Sequence, residues 1–165
     1  MNIWYFHHYA TPYEIAGLHR PFEFGTYFKQ NGNQIAVFTS SYLHYANENM
    51  IEGKEKVLLR EYDGVTSVFV RTCGYQNKLN RIMNMVQFGK RLFGASKWFA
   101  ENHWRPDVIV ASSPHPLTVL SAIRIAHKFG VPCVCEIRDL WPEVFFLGGV
   151  VKETGLIGKF LLHYE

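Results

Sequence analysis

The hydrophobic positions along the chain alternate between short apolar runs and longer segments whose apolar residues recur with helical spacing. The short runs have the length of buried strands and cover residues 3–6, 34–39, 107–111 and 131–136. The longer segments cover 20–30, 77–102 and 117–128. Strand and helix in this order favour parallel strand pairs joined by right-handed crossovers.

One part of the chain departs from this alternation and predicts an antiparallel hairpin. Two β-rich runs, 56–62 and 65–71, flank Asp63-Gly64, a pair typical of tight hairpin turns. We therefore expect an α/β, Rossmann-like fold with a mostly parallel sheet of six or seven strands. Helices should cover both faces, and the 57–71 hairpin should lie at an edge.

Composition narrows the class of protein. The 165 residues suit one domain, and 48 % hydrophobic with 16 % aromatic residues excludes intrinsic disorder. Charged residues make up 19 %, below the typical share of about 25 %, so some apolar surface should face a second domain, a partner or lipid headgroups. A net charge of +3 is too small to predict a nucleic-acid partner. No apolar stretch reaches the length that spans a bilayer.

The three cysteines predict a reducing compartment. No secretory signal precedes them, so a cytoplasmic location is expected. Cys133 and Cys135 are two apart in a predicted strand and should point to the same face. We expect both to be reduced core residues, because metal or redox use favours a C-x-x-C pair.

The candidate functional residues are mostly in loops that follow predicted strands, where open α/β sheets bind their ligands. Gly17 fits close approach of the backbone to an anion at a helix start, or is a simple turn residue. Arg20 can bind phosphate, or form a structural salt bridge. His115, between two prolines, is either a positioned hydrogen-bonding group or a packed side chain. Asp139 is either a functional carboxylate or part of a loop-capping network with Arg138.

Three other signals are weak. The first strand and helix lack G-x-G-x-x-G, which disfavours ordinary dinucleotide binding. Gly158-Lys159 has neither the first glycine nor the Ser or Thr of a P-loop. His7 and His8 should point in opposite directions and have no acidic or sulfur partner at ligand spacing, so no metal is expected.

Five segments resemble, in order, the N-terminal half of GT-B glycosyltransferases of the family 4 type. They are Asn-Ile-Trp-Tyr at 2–5, Gly-Leu-His-Arg-Pro at 17–21, the run at 32–41, Ser-Ser-Pro-His-Pro at 112–116 and Glu-Ile-Arg-Asp-Leu-Trp-Pro-Glu at 136–143. The branch that they resemble most builds O-antigen (lipopolysaccharide), capsule or exopolysaccharide in bacteria. Residue 16 is Ala where many members have a second glycine, and Arg138-Asp139 stands where several have a histidine.

This resemblance implies that residues 1–165 form the acceptor-side domain of a retaining, metal-independent transferase without a cofactor. The nucleotide-sugar donor would bind mainly to a further C-terminal domain with a Glu-x7-Glu motif, and no two glutamates here have that spacing. The apolar pattern after 156 still runs at residue 165, which also predicts a further domain. We expect the chain alone to be inactive. By position, Gly17 and Arg20 would approach the donor diphosphate, and Asp139 would be the catalytic-region group. The remaining substrate-binding candidates are Ser113, His115, Arg138 and Glu143.

Two other functions stay open: half of a GT-B nucleotide-sugar 2-epimerase, and a stand-alone module that binds a nucleotide or phosphate. The resemblance also implies a glycan or lipid-linked acceptor and hence peripheral contact with the inner face of the cell membrane. The aromatic segment 22–28 and the apolar segment 144–147, near Lys152 and Lys159, suit such a surface. Alternatively, these side chains pack against the further domain.

Overall fold

The computed structural model describes residues 1–139 and 154–155. The strands of this part are β1 (Asn2–Phe6), β2 (Gln34–Ser40), β3 (Tyr42–Leu43), β4 (Glu48–Asn49), β5 (Val57–Tyr62), β6 (Val65–Val70), β7 (Val108–Ser113) and β8 (Cys133–Ile137). The helices are α1 (Arg20–Gln30), α2 (Lys78–Asn102) and α3 (Pro116–Phe129). Glu143, segment 144–147, the two lysines near it and the predicted helix after 156 lie outside the described residues.

Six strands form one sheet in the order β5-β6-β2-β1-β7-β8. All neighbours are parallel except β5 and β6, which form the predicted hairpin at the edge. Asp63 and Gly64 have φ angles of 49° and 74°, the left-handed conformations that a tight hairpin turn requires. The α/β, mostly parallel, Rossmann-like prediction is therefore confirmed. The small β3-β4 pair was not predicted, because two-residue strands carry no periodic pattern.

Side chains alternate across the sheet and build a core on each face. Trp4 and Phe6 of β1 are completely buried in the cluster that α2 and α3 cover. Ile3 and Tyr5 belong to the opposite cluster, which Phe22 of α1 covers. Helices therefore lie on both faces, as predicted. Within the described residues, no helix has both the length and the apolar character that crossing a membrane needs.

Helix boundaries follow local signals. Asn77 caps α2 by accepting a hydrogen bond from the Asn80 backbone N–H at 2.9 Å. Proline stands in the first turn of α1 and α3, and Gly130 ends α3 with a φ of 69°. Ser112 and Ser113, predicted as loop residues, instead belong to the end of β7.

The prediction of two buried cysteines is wrong. Cys133 is half-buried and Cys135 is exposed, because β8 lies at the end of the strand order. Both side chains do share a face, with their Sγ atoms 3.9 Å apart, and both are free thiols. Burial and the neighbouring Cys135 raise the pKa of the Cys133 thiol to about 12, which keeps it protonated and unreactive at neutral pH.

Candidate functional site

The carboxyl ends of the parallel strands bring together polar side chains that are far apart in sequence. His7 and His8 follow β1, Thr72 follows β6, His115 follows β7, and Arg138 follows β8. All three histidines are almost completely buried. This is the edge at which open α/β sheets bind ligands.

A hydrogen-bonded chain connects three of these strand ends to α2. His115 Nε2 lies 2.8 Å from His8 Nδ1, and His8 Nε2 lies 2.6 Å from Asn84 Oδ1. The Asn84 amide nitrogen donates to Thr72 Oγ1 at 3.1 Å, and Thr72 Oγ1 lies 2.7 Å from Ser40 Oγ. We call these residues, from His115 to Ser40, the histidine chain. Its members are all buried.

The chemistry of each group fixes the direction of the histidine chain. Ser40 Oγ donates to the Tyr42 carbonyl at 3.0 Å, so Thr72 must donate to Ser40. Asn84 therefore presents its oxygen to His8, which donates from Nε2 and has only Nδ1 left to accept. It follows that His115 donates from Nε2. The remaining nitrogen, His115 Nδ1, is a buried acceptor without a partner among the described residues.

Electrostatics keep both imidazoles of the histidine chain neutral. Burial, followed by the proximity of His115, lowers the pKa of His8 well below its usual value of 6.5. Burial and the positive charge of Arg81 lower the pKa of His115 to about 4. The His8 ring stacks on Phe88 with centroids 4.7 Å apart. The His8 and His115 rings can therefore form their hydrogen bond at neutral pH without carrying charge.

His7 faces a different set of groups. Its Nε2 lies 3.1 Å from Nη1 of Arg138, and its Nδ1 lies 3.2 Å from the Tyr9 backbone N–H. Burial and Arg138 lower the His7 pKa to about 3, so the ring is neutral and has one acceptor nitrogen for these two donors. One of the two contacts is thus unsatisfied. Arg138 is exposed and lies within 4.0 Å of no carboxylate in residues 1–139.

An ion pair joins α1 to β8 at the same edge. Arg20 Nη2 lies 2.5 Å from Glu136 Oε1, and the Tyr5 hydroxyl donates to Glu136 Oε2 at 2.8 Å. Burial alone raises the pKa of Glu136, but the Tyr5 hydrogen bond and the positive charges of Arg20 and Arg138 outweigh it, and the pKa is lowered. The structural salt bridge expected as one role for Arg20 is therefore present.

The other predicted site residues differ in their surroundings. The Ser113 side chain is buried and its Oγ accepts a hydrogen bond from the Arg138 backbone N–H at 3.1 Å. Gly17 packs so closely on Thr11 that an added Cβ would overlap the threonine side chain. Asp139 is exposed and makes no hydrogen bond or ion pair within 1–139. The structure thus brings three predicted residues together near His7: His115, Ser113 and Arg138. A glycine at position 17 is explained by its close packing on Thr11 within the same loop.

Sequence reasoning missed Asn84 and Glu136 and set His7 and His8 aside. Asn84 could have been found, because it shares the buried stripe of α2 with Phe88, Leu92, Ala95 and Phe99. A polar side chain on such a stripe needs a hydrogen-bond partner in the core.

Comparisons with known proteins add support for the fold. Neither protein-family models nor curated proteins give a match. Among solved structures, the chain is similar to the C-terminal domain of a hydrogenase from Pyrococcus furiosus, with 16 % sequence identity and a TM-score of 0.50. The likeness covers 82 % of this chain and 89 % of that one. At this identity the likeness shows a shared α/β fold.

Proposed function

We propose that this chain is the acceptor-side domain of a retaining GT-B glycosyltransferase. Such an enzyme would move a sugar from a nucleotide-sugar donor to a glycan or lipid-linked acceptor in the synthesis of cell-surface polysaccharide. The observation that carries the proposal is that His115, Arg138 and Asp139 follow neighbouring strands at the carboxyl edge of a Rossmann-like sheet, where His115 contacts His8 and Arg138 contacts His7. His115, Arg138 and Asp139 belong to the two later segments that resemble the transferase family.

The chemistry of glycosyl transfer suits this set of groups. The acceptor hydroxyl forms a bond to the anomeric carbon and loses its proton, while the bond from that carbon to the donor phosphate breaks. The exposed Asp139 carboxylate can accept the hydroxyl proton or orient the hydroxyl. The free charge of Arg138 can stabilise the phosphate oxygen that becomes negative.

The surface around the site supports a cleft that a second domain completes. Because α2 follows the carboxyl end of β6, its first turns lie at the edge that holds the histidine chain. Leu79, Ile82 and Met83 of these turns are more than half exposed, at 79 %, 57 % and 53 %. Contiguous apolar side chains next to a polar site are typical of an interaction surface.

Side-chain NMR of the eight histidines tests the proposal with the 165-residue chain. Oligosaccharide or lipid-linked acceptors should shift the His7, His8 and His115 resonances, and Arg138→Gln should reduce the shift. The exposed Arg124→Gln of α3 is the matched control and should leave it unchanged.

The same chain should show no transfer from a panel of nucleotide-sugars, because donor and acceptor must be held together for reaction. Multiple turnovers, or micromolar binding of a nucleotide at the histidines, would contradict the acceptor-side assignment and favour a self-sufficient binding module.

A further inference from the structure

A large open cavity lies between the β5 edge of the sheet and α2, and no residue of the histidine chain lines it. It has a volume of about 940 Å³. Five basic residues line it: Lys54 and Lys56 before β5, Arg71 after β6, and Lys90 and Arg91 of α2. Residues from three separate parts of the chain thus bring five positive charges to one cavity.

No acidic side chain among residues 1–139 lines this cavity. In the part of the chain that the structure describes, the only ion pairs within 4.0 Å are Arg20–Glu136 and Lys97–Glu101. Glu52 and Glu55 belong to the same loop as Lys54 and line a neighbouring cavity of about 310 Å³. Glu52 also lines a cavity of about 350 Å³ with Arg71 and Arg91, but it lies within 4.0 Å of neither guanidinium. Like charges that share a cavity repel each other, and a bound anion removes that repulsion.

Hydrogen bonds to backbone carbonyls hold the two arginines in place. The Arg71 backbone N–H donates to the Lys56 carbonyl at 3.0 Å, and the Arg71 guanidinium donates to the carbonyls of Gly53 and Glu55. Arg91 in turn donates to the Arg71 carbonyl at 2.8 Å. These bonds tie the lysine loop to β6 and α2, and neither guanidinium forms an ion pair within 4.0 Å in residues 1–139. The two guanidinium groups are therefore held in place before any ligand binds.

We propose that this cavity binds a phosphate-bearing anion with an apolar or ring-shaped moiety. Arginine pairs with phosphate through two parallel hydrogen bonds, and lysine acts as a point charge beside it. Trp98, which is 39 % exposed, lines the same cavity and offers an aromatic face to the rest of the ligand. The volume lies within the range of small-molecule sites. Neither this site nor its ligand depends on the function proposed above.

The test is titration of the 165-residue chain at low salt, by calorimetry and by tryptophan fluorescence. The probes are inorganic diphosphate, a nucleoside diphosphate, and vesicles of phosphatidylglycerol or of phosphatidylcholine alone. Lys54→Gln/Lys90→Gln removes two charges from the cavity. Lys78→Gln/Lys128→Gln removes two charges from exposed positions outside it and is the matched control.

At least one phosphate probe should bind, and the cavity variant should weaken binding by about tenfold or more. The control should change it by less than about twofold, and Trp98→Phe should abolish the fluorescence change. Binding of the soluble diphosphates would identify a soluble ligand, whereas binding confined to phosphatidylglycerol vesicles would identify a lipid headgroup. If no probe binds, or if both double variants lose affinity equally, the proposal is wrong.

Discussion

Acidification below pH 6.5 should destabilise this protein through its three buried histidines. In the native state, burial and Arg138 lower the His7 pKa to about 3, and burial and Arg81 lower the His115 pKa to about 4. Burial and His115 keep the His8 pKa well below 6.5. In the unfolded chain all three regain the ordinary value near 6.5. Between these values the unfolded state binds more protons, so stability falls as pH falls.

The size of the effect follows from this difference in protonation. At pH 5 an unfolded histidine is almost fully protonated while native His7 and His115 are mostly neutral, which costs about 2 kcal/mol for each of these two residues. Together they cost about 4 kcal/mol relative to neutral pH, a large part of the roughly 5–15 kcal/mol that stabilises a typical domain, and His8 adds to the loss in the same direction. Near pH 5 these two residues alone should change the free energy of unfolding by about 3 kcal/mol per pH unit.

Urea unfolding at about pH 7.5, 6.5, 5.5 and 5.0 measures how the free energy of unfolding depends on pH. Remaining at or above pH 5 limits the contribution of carboxylates. His115→Gln should lower the slope by about 1 kcal/mol per pH unit, whatever it does to stability at pH 7.5, because one titrating group is gone. His127→Gln, at an exposed position of α3, is the control and should keep the wild-type slope. An unchanged slope in His115→Gln, or a native His115 that titrates near pH 6.5 by NMR, would refute the reasoning.

Three further predictions concern single residues. In the transferase proposed above, Asp139→Asn should reduce turnover by about 10²-fold with little change in melting temperature, since the side chain is exposed; a destabilised but active variant would rule out the proposed catalytic role. Asn84→Leu should lower the free energy of unfolding by about 2–4 kcal/mol in urea titrations, because His8 and Thr72 lose buried partners; a loss below about 1 kcal/mol would show that the histidine chain is not needed for stability. Gly17→Ala should destabilise by about 1–3 kcal/mol through overlap with Thr11, and Thr11→Gly in the same chain should restore part of the loss; full stability in the single variant would contradict that packing.

The order of strands and helices could be predicted from sequence because periodicity reports local burial. The apolar spacing predicts a helix over residues 20–30, and α1 has these bounds. Asp63-Gly64 predicts a tight turn that few other residue pairs can form. The continuous apolar run of β1 likewise reflects burial on both faces of the sheet. These features depend on residues a few positions apart, so the local sequence is sufficient to determine them.

Contacts between distant elements could not be predicted in the same way. His8 meets His115 across 107 positions because β1 and β7 are neighbours in the sheet, and strand order is a property of the whole fold. Cys135 is exposed for the same kind of reason, since its strand lies at the end of that order. The carboxyl edge was predicted as the site, but only the tertiary structure decided that Arg20 pairs with Glu136 and that five cations share one cavity. Local patterns record whether a residue is buried, whereas its partner depends on which elements the chain packs side by side.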